Sequence, residues 1–329
     1  ALAQIGTSSQ IQSFVFNGGI LQLGDGNVSW DSQLKTVTNN APYRSVSVGE
    51  NGLKIRVKNE GHYDLVSFGN ILSACSGATQ DGGLSIDGFG LIRVDATNWE
   101  VTGPISFDGG NITFAAPAFA ASGPVTLGTV LLKYNSSVVN DIDLSVGTTA
   151  LTGATTLYPR HVSTTSYGTF RLGALAREPG GVLFLWDQLD TSTFFDGTTY
   201  TNKPAFTTAA QLAHTAAGAT KLPVFGFSSL SPAGRTTSRY HLVFLKSLAD
   251  GSFEAVAETP WSEMVGATDL VVVDRPDEVK VTTDRTVAGL SVYGRNGPAL
   301  TLDAGKTLTV GDGVNPAVVF LHNNHTSGR

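Results

Sequence analysis

The sequence predicts an all-β protein wound as a right-handed parallel β-helix, a solenoid with an irregular insertion near 187–220; a β-sandwich is the rival architecture. Three observations carry this. Apolar residues recur two apart in short runs, glycines close the runs, and only 15% of residues are charged, fewer than long surface helices would want. Residues two apart share a strand face, so each run offers one face to a core and the other to water.

The elements follow in order. Over 10–26, Val15, Ile20, Leu21 and Leu23 are strand positions around an Asn17-Gly18-Gly19 turn. Residues 27–80 are less regular, with strand-like runs at 45–48, 53–57 and 65–68. The clearest stretch is 81–114, where Leu84 and Ile86, Ile92 and Val94, Trp99 and Val101, Ile105 and Phe107, and Ile112 and Phe114 alternate between glycines 88, 90, 103, 109 and 110. Within 124–153 the same spacing links Val125 with Leu127, Leu132 with Tyr134 and Ile142 with Leu144. A further strand is expected in 168–181. Beyond it, 187–219 turns Thr- and Ala-rich and loses alternation, as an excursion that carries a binding surface would. Strand patterns return in 222–264 and again in 269–313, and 322–329 is expected to fray. Three stretches result: β-solenoid rungs over 1–186, an irregular or inserted segment with some strands over 187–265, and rungs with a frayed C-terminus over 266–329.

The 81–114 stretch resembles one copy of the autotransporter-associated β-strand repeat of bacterial surface passengers. Gly82, Gly83, Leu84, Gly88, Gly90, Leu91, Val94, Asn98, Trp99, Thr102, Gly103, Gly110, Ile112 and Phe114 stand where that pattern wants them, while Ile86 takes the place of a frequent lysine. The element in 168–181, a strand with Leu-Gly-Ala-Leu, Arg and then Gly-Gly, is also similar to one common in such passengers. The motif is made of core and corner positions and carries no chemistry. The resemblance therefore implies a β-helix on the outer surface of a bacterium or secreted from it, and implies no activity.

A net charge of −6 gives no electrostatic reason to expect nucleic acid or an anionic membrane. No run is long and apolar enough for a membrane-spanning helix. Ala1-Leu2-Ala3 resembles the tail of a cleaved signal peptide and equally suits the start of a fragment. Cys75 is the one cysteine, so neither an internal disulfide nor a thiolate metal site can be built, and a small buried role is expected for it.

No catalytic, cofactor-binding or metal-binding residue is expected. Asp141 and Asp143, two apart, are the nearest approach to a paired-carboxylate site, but both are read as facing water while Ile142 and Leu144 face in. The run from Gly61 through His62 and Tyr63 to Asp64 lacks the second glycine of a polygalacturonase Gly-His-Gly. No Gly-x-Ser-x-Gly elbow occurs, and His62, His161, His214, His241, His322 and His325 show no ligand or triad spacing. Arg235, Arg239 and His241 are read as a solvated strand end. Asp25, Asp81, Asp87, Asp108 and Asp312 lie beside glycines without forming a calcium nonapeptide array, so they are read as turns. Asn27, Asn111, Asn135 and Asn324 begin sequons that matter only in a glycosylating host. Trp186, Phe194, Phe195 and Tyr200, with Phe184, gather around the irregular middle; they either cap the core or contact a sugar or a second chain.

The expected function is that of a non-enzymatic, extracellular surface passenger or fibre segment for adhesion or self-assembly. Its expected partners are further copies, end to end or side by side, or a surface glycan or host ligand. Two alternatives stand beside it: a carbohydrate-active β-helix enzyme, lyase or hydrolase, and a phage tail-fibre module.

Overall fold

The computed structural model describes residues 13–23, 45–58, 65–68, 70–89, 91–94, 99–114, 119–134, 141–158, 169–178, 180–186, 206–208, 224–228, 241–247, 253–255, 258–262, 264–273, 279–294, 300–311, 317 and 319–323. Among these residues every regular element is a strand, and no helix is long and apolar enough to cross a membrane.

In chain order the strands are β1 (Ser13–Phe16), β2 (Ile20–Leu23), β3 (Ser45–Val48), β4 (Leu53–Lys58), β5 (Leu65–Phe68), β6 (Asn70–Ser73), β7 (Leu84–Phe89), β8 (Leu91–Val94), β9 (Ile105–Asp108) and β10 (Asn111–Phe114). There follow β11 (Phe119–Ala120), β12 (Val125–Leu127), β13 (Leu131–Tyr134), β14 (Ile142–Leu151), β15 (Ala154–Tyr158), β16 (Phe170–Arg177), β17 (Val182–Trp186), β18 (Phe206–Thr208), β19 (Val224–Ser228), β20 (His241–Ser247) and β21 (Phe253–Ala255). The remainder are β22 (Thr259–Pro260), β23 (Leu270–Val273), β24 (Val279–Val281), β25 (Arg285–Val287), β26 (Gly289–Gly294), β27 (Leu300–Leu302), β28 (Leu308–Val310) and β29 (Val319–Asn323).

Two nine-stranded sheets advance in step. One runs β2-β4-β7-β9-β12-β14-β16-β18, with β11 also on β14, and the other runs β5-β8-β10-β13-β15-β17-β19-β20-β21. From β4 to β17, each strand of the first sheet except β11 is followed along the chain by a strand of the second. All pairings are parallel until β20, which runs antiparallel to β19 and to β21. A smaller parallel sheet, β1-β3-β6, is continued by a bridge from Ile71 to Trp99. Nearer the C-terminus β22-β23-β26-β29, β24-β27 and β25-β28 are again parallel. An antiparallel sandwich, built from hairpins, does not have this pairing.

Alternation becomes packing through register. Ile55 pairs with Ile86, Ile86 with Phe107, Phe107 with Leu127 and Leu127 with Leu151, so like side chains stack in a column, each of them fully buried. Ile112, Leu132, Leu157 and Leu185 form the matching column in the second sheet. Phe107 meets Phe114 edge to face at 5.9 Å, and Phe119 joins Phe114 to Trp99, which ties the two columns together. A separate core gathers Trp261, Val265, Val271, Val273, Val279, Val281, Val287 and Leu290.

The corners explain the glycines. Gly88 has φ +117°, and a Cβ there would overlap the carbonyl oxygen of Val57 on the neighbouring strand. Only a residue without a side chain lets the backbones approach so closely. The long strand β14 contains an irregularity of another kind, because Ser145, Val146 and Gly147 stand opposite Gly173 alone. Buried Thr149 satisfies that break: its hydroxyl donates to the Leu144 carbonyl at 3.2 Å and accepts the Gly173 N–H at 2.9 Å.

One expectation needs adjusting. Cys75 is partly exposed, since its run lies beyond the end of β6 and has no core-facing side; its N–H donates to Ser73 Oγ at 3.3 Å. Within 187–265 the described residues include strands: β18 and β19 extend the two large sheets in parallel, and Leu245 of β20 packs into the main core.

Candidate functional site

Stacked corners leave a trench. Where each strand of the first sheet gives way to one of the second, the close backbone approach selects residues without bulky side chains. Gly88, Gly109, Gly110 and Ala154 line a groove of about 920 Å³ there. Its rim is supplied by Gln22, Arg56, Asp87, Phe89, Asp108, Thr129 and Thr156, with Val57, Val130 and Leu131 completing the wall.

The polar part of the rim is ordered by register. Arg56 pairs with Asp87, and Asp87 with Asp108, so three charged side chains follow one another up adjacent strands. The Asp87 carboxylate accepts from Arg56 Nε and Nη2 at 3.1–3.4 Å and meets Lys54 Nζ at 2.7 Å. Burial pushes the Asp87 carboxyl up, yet the hydrogen bonds and charges of Arg56 and Lys54 outweigh it and hold the group below the ordinary carboxylate range. The same bond raises the Arg56 guanidinium. Asp108 stands exposed and accepts the Thr129 N–H at 3.1 Å. Two cations and two carboxylates thus balance along this wall. Phe89 stands beside them with 68% of its surface exposed.

The backbone of the trench is already committed. Gly128 N–H donates to Phe107, Leu131 N–H to Gly110 and Thr156 N–H to Val130, at 2.8–3.1 Å.

Two other polar clusters tie strands and corners together. Asp141 meets Arg171 at 2.6 Å and accepts the Thr169 N–H at 3.2 Å, while Asp143 accepts the Ser145 N–H at 2.9 Å. Ile142 between them and Leu144 after Asp143 are buried, as the alternation requires. Asp81, only 3% exposed, accepts from Thr102 N–H and Oγ at 2.8 Å, Gly103 N–H at 2.9 Å and Gly83 N–H at 3.0 Å. Burial pushes its carboxyl up, but these bonds and the Ser73 hydroxyl win, and its pKa falls below the usual value.

Of the aromatic residues expected to make contacts, Trp186 ends β17, paired with Phe227, while Phe194, Phe195 and Tyr200 lie outside the described residues. Of the histidines, His241 is in β20 and His322 in β29; the other four, with Arg235 and Arg239, lie outside as well. Among the described residues no group of three or more His, Cys, Asp and Glu side chains is placed to hold a metal ion. Read as turns, Asp87-Gly88 and Asp108-Gly109 give no groove in the sequence. Their shared Asp-Gly form, one coil apart and with an aromatic residue beside the first, was the available signal. No family model, curated protein or solved structure matches this chain.

Proposed function

We propose that the chain is a right-handed parallel β-helix from the outer surface of a bacterium, a passenger or fibre segment that adheres or assembles and does not catalyse. One observation carries this reading. In the two large sheets parallel strands return in register after 20 to 41 residues, from Phe107 and Leu127 at one extreme to Leu183 and Val224 at the other. Chains that wind in such steps bury each layer against the next and build long lateral surfaces suited to contact. Right-handed winding follows from the strong preference of parallel crossovers. The N-terminal stretch and the C-terminal sheets share this pairing, which supports rungs on either side of the 187–265 segment.

A second reading, a carbohydrate-active enzyme, is favoured by the adjacent Asp87 and Asp108 on the groove. Against it, the Asp87 carboxylate is held by Arg56 and Lys54 and Asp108 accepts the Thr129 N–H, so both are engaged within the protein. Incubating the purified chain with acidic and neutral polysaccharides, while assaying reducing sugars and 235-nm absorbance, tests the choice. The expected result is polymer-bound protein with no product, and particles elongated in negative stain. Release of sugar products would end the non-enzymatic reading.

A further inference from the structure

We propose that the corner groove binds a neutral polysaccharide chain, laid along the stacking direction, with a pyranose ring on Phe89 and its hydroxyl groups on Asp108, Asp87, Gln22 and Thr129. This inference deepens the adhesion reading and rests on it. Four observations select the ligand.

The first is the pairing of an exposed aromatic ring with carboxylates on one wall. A pyranose presents an apolar C–H face and an equatorial rim of hydroxyl donors, and these two chemistries meet side by side at Phe89 and Asp108. The second is charge. Lys54 and Arg56 are engaged by Asp87, so neither is an uncommitted cation awaiting a phosphate or a uronate. Asp108, one strand away, would repel an acidic polymer.

The third is the state of the backbone. A peptide that binds by adding a strand needs open N–H and C=O groups, and those of the groove wall are spent on neighbouring strands. The fourth is repeat distance. Parallel strands lie about 4.8 Å apart, close to the rise of an extended β-linked pyranose chain. Successive sugars would therefore meet successive corners in the same register.

Isothermal titration with cellohexaose, xylohexaose, mannohexaose and chitohexaose, with polygalacturonate alongside, tests this. At least one neutral hexamer is expected to bind, and Phe89→Ala and Asp108→Ala are each expected to weaken it by about tenfold or more. Leu321→Ser, an exposed substitution on β29, serves as the control and should leave affinity unchanged. Circular dichroism and Tm confirm that Phe89→Ala, at an exposed site, keeps the fold.

The inference is overturned by three results: no heat from any neutral hexamer, binding confined to polygalacturonate, or wild-type affinity in both groove variants. If elongated particles still adhere to polysaccharide while the groove variants bind normally, the groove assignment fails and the proposed function stands. If hexamers are cleaved, the proposed function fails whichever way the variants behave.

Discussion

Arg56 and Asp87 are register partners on the adjacent parallel strands β4 and β7, 31 residues apart in sequence, and the guanidinium reaches the carboxylate through both Nε and Nη2. Lys54 of the same strand holds the same carboxylate at Oδ2. Since both cations are more than a third exposed, the pair positions the groove wall more than it stabilises the fold. Asp87→Asn is expected to lower Tm by no more than about 2 °C in low salt, and by less in 1 M NaCl, where the charges are screened. A drop several times larger, insensitive to salt, would show that this contact is part of the core.

Gly88 and Gly305 separate two costs of replacing glycine. Both have positive φ, +117° and +76°, but a Cβ on Gly305 meets nothing within 4 Å whereas one on Gly88 overlaps the Val57 carbonyl. Gly305→Ala should cost about 1 kcal/mol from backbone strain alone. Gly88→Ala should cost about 3 kcal/mol or more, because the neighbouring strand must also move. Urea denaturation of the two variants checks the ordering, and equal losses would mean that close strand approach is not what selects Gly88.

Asp81 makes the fold sensitive to acid. Its folded pKa lies below the ordinary value of about 3.9, so between the two values the folded chain binds fewer protons than the unfolded one. Stability therefore rises with pH across that window. The contribution is complete above about pH 4 and is lost as pH falls through the folded pKa. Asp81→Asn is expected to cost about 3 kcal/mol at pH 7, where three backbone N–H groups and a hydroxyl lose a charged acceptor, and to flatten the acid limb of the curve. Urea midpoints from pH 3 to 7 test it; an unchanged acid limb would locate the sensitivity elsewhere.

Phe107 lies at the crossing of the first column and the aromatic cluster and is fully buried. Phe107→Ala should cost about 4 kcal/mol, as large cavities in packed cores do. Leu321→Ser, with the side chain 79% exposed, should stay within about 0.5 kcal/mol of the parent. Chemical denaturation of both variants tests whether the stacked column or the outlying strand carries the stability.

Strand faces were legible in the sequence because side-chain alternation is a local property. Leu84 and Ile86, Ile105 and Phe107, and Ile142 and Leu144 are buried as their spacing requires, and 45–48 and 65–68 are strands with the expected bounds. Which strand lies beside which was not legible. Partners in the two large sheets are separated by steps that vary from 20 residues between Phe107 and Leu127 to 41 between Leu183 and Val224, so no fixed period announces them. The groove escaped notice for that reason, since it exists only when four or five such steps are laid side by side. The irregularity facing Gly173 escaped for a related one: Ser145, Val146 and Gly147 continue a strand in sequence and break register only against a partner that the sequence does not name.

The reversal at β20 has a consequence for how molecules meet. Parallel and antiparallel combs place their donors and acceptors at different intervals. β21 pairs with β20 in turn, so that sheet ends on β21, antiparallel to its neighbour, while its other end is β5, parallel to its own. A second copy adding to this sheet therefore meets differently directed strands at its two edges.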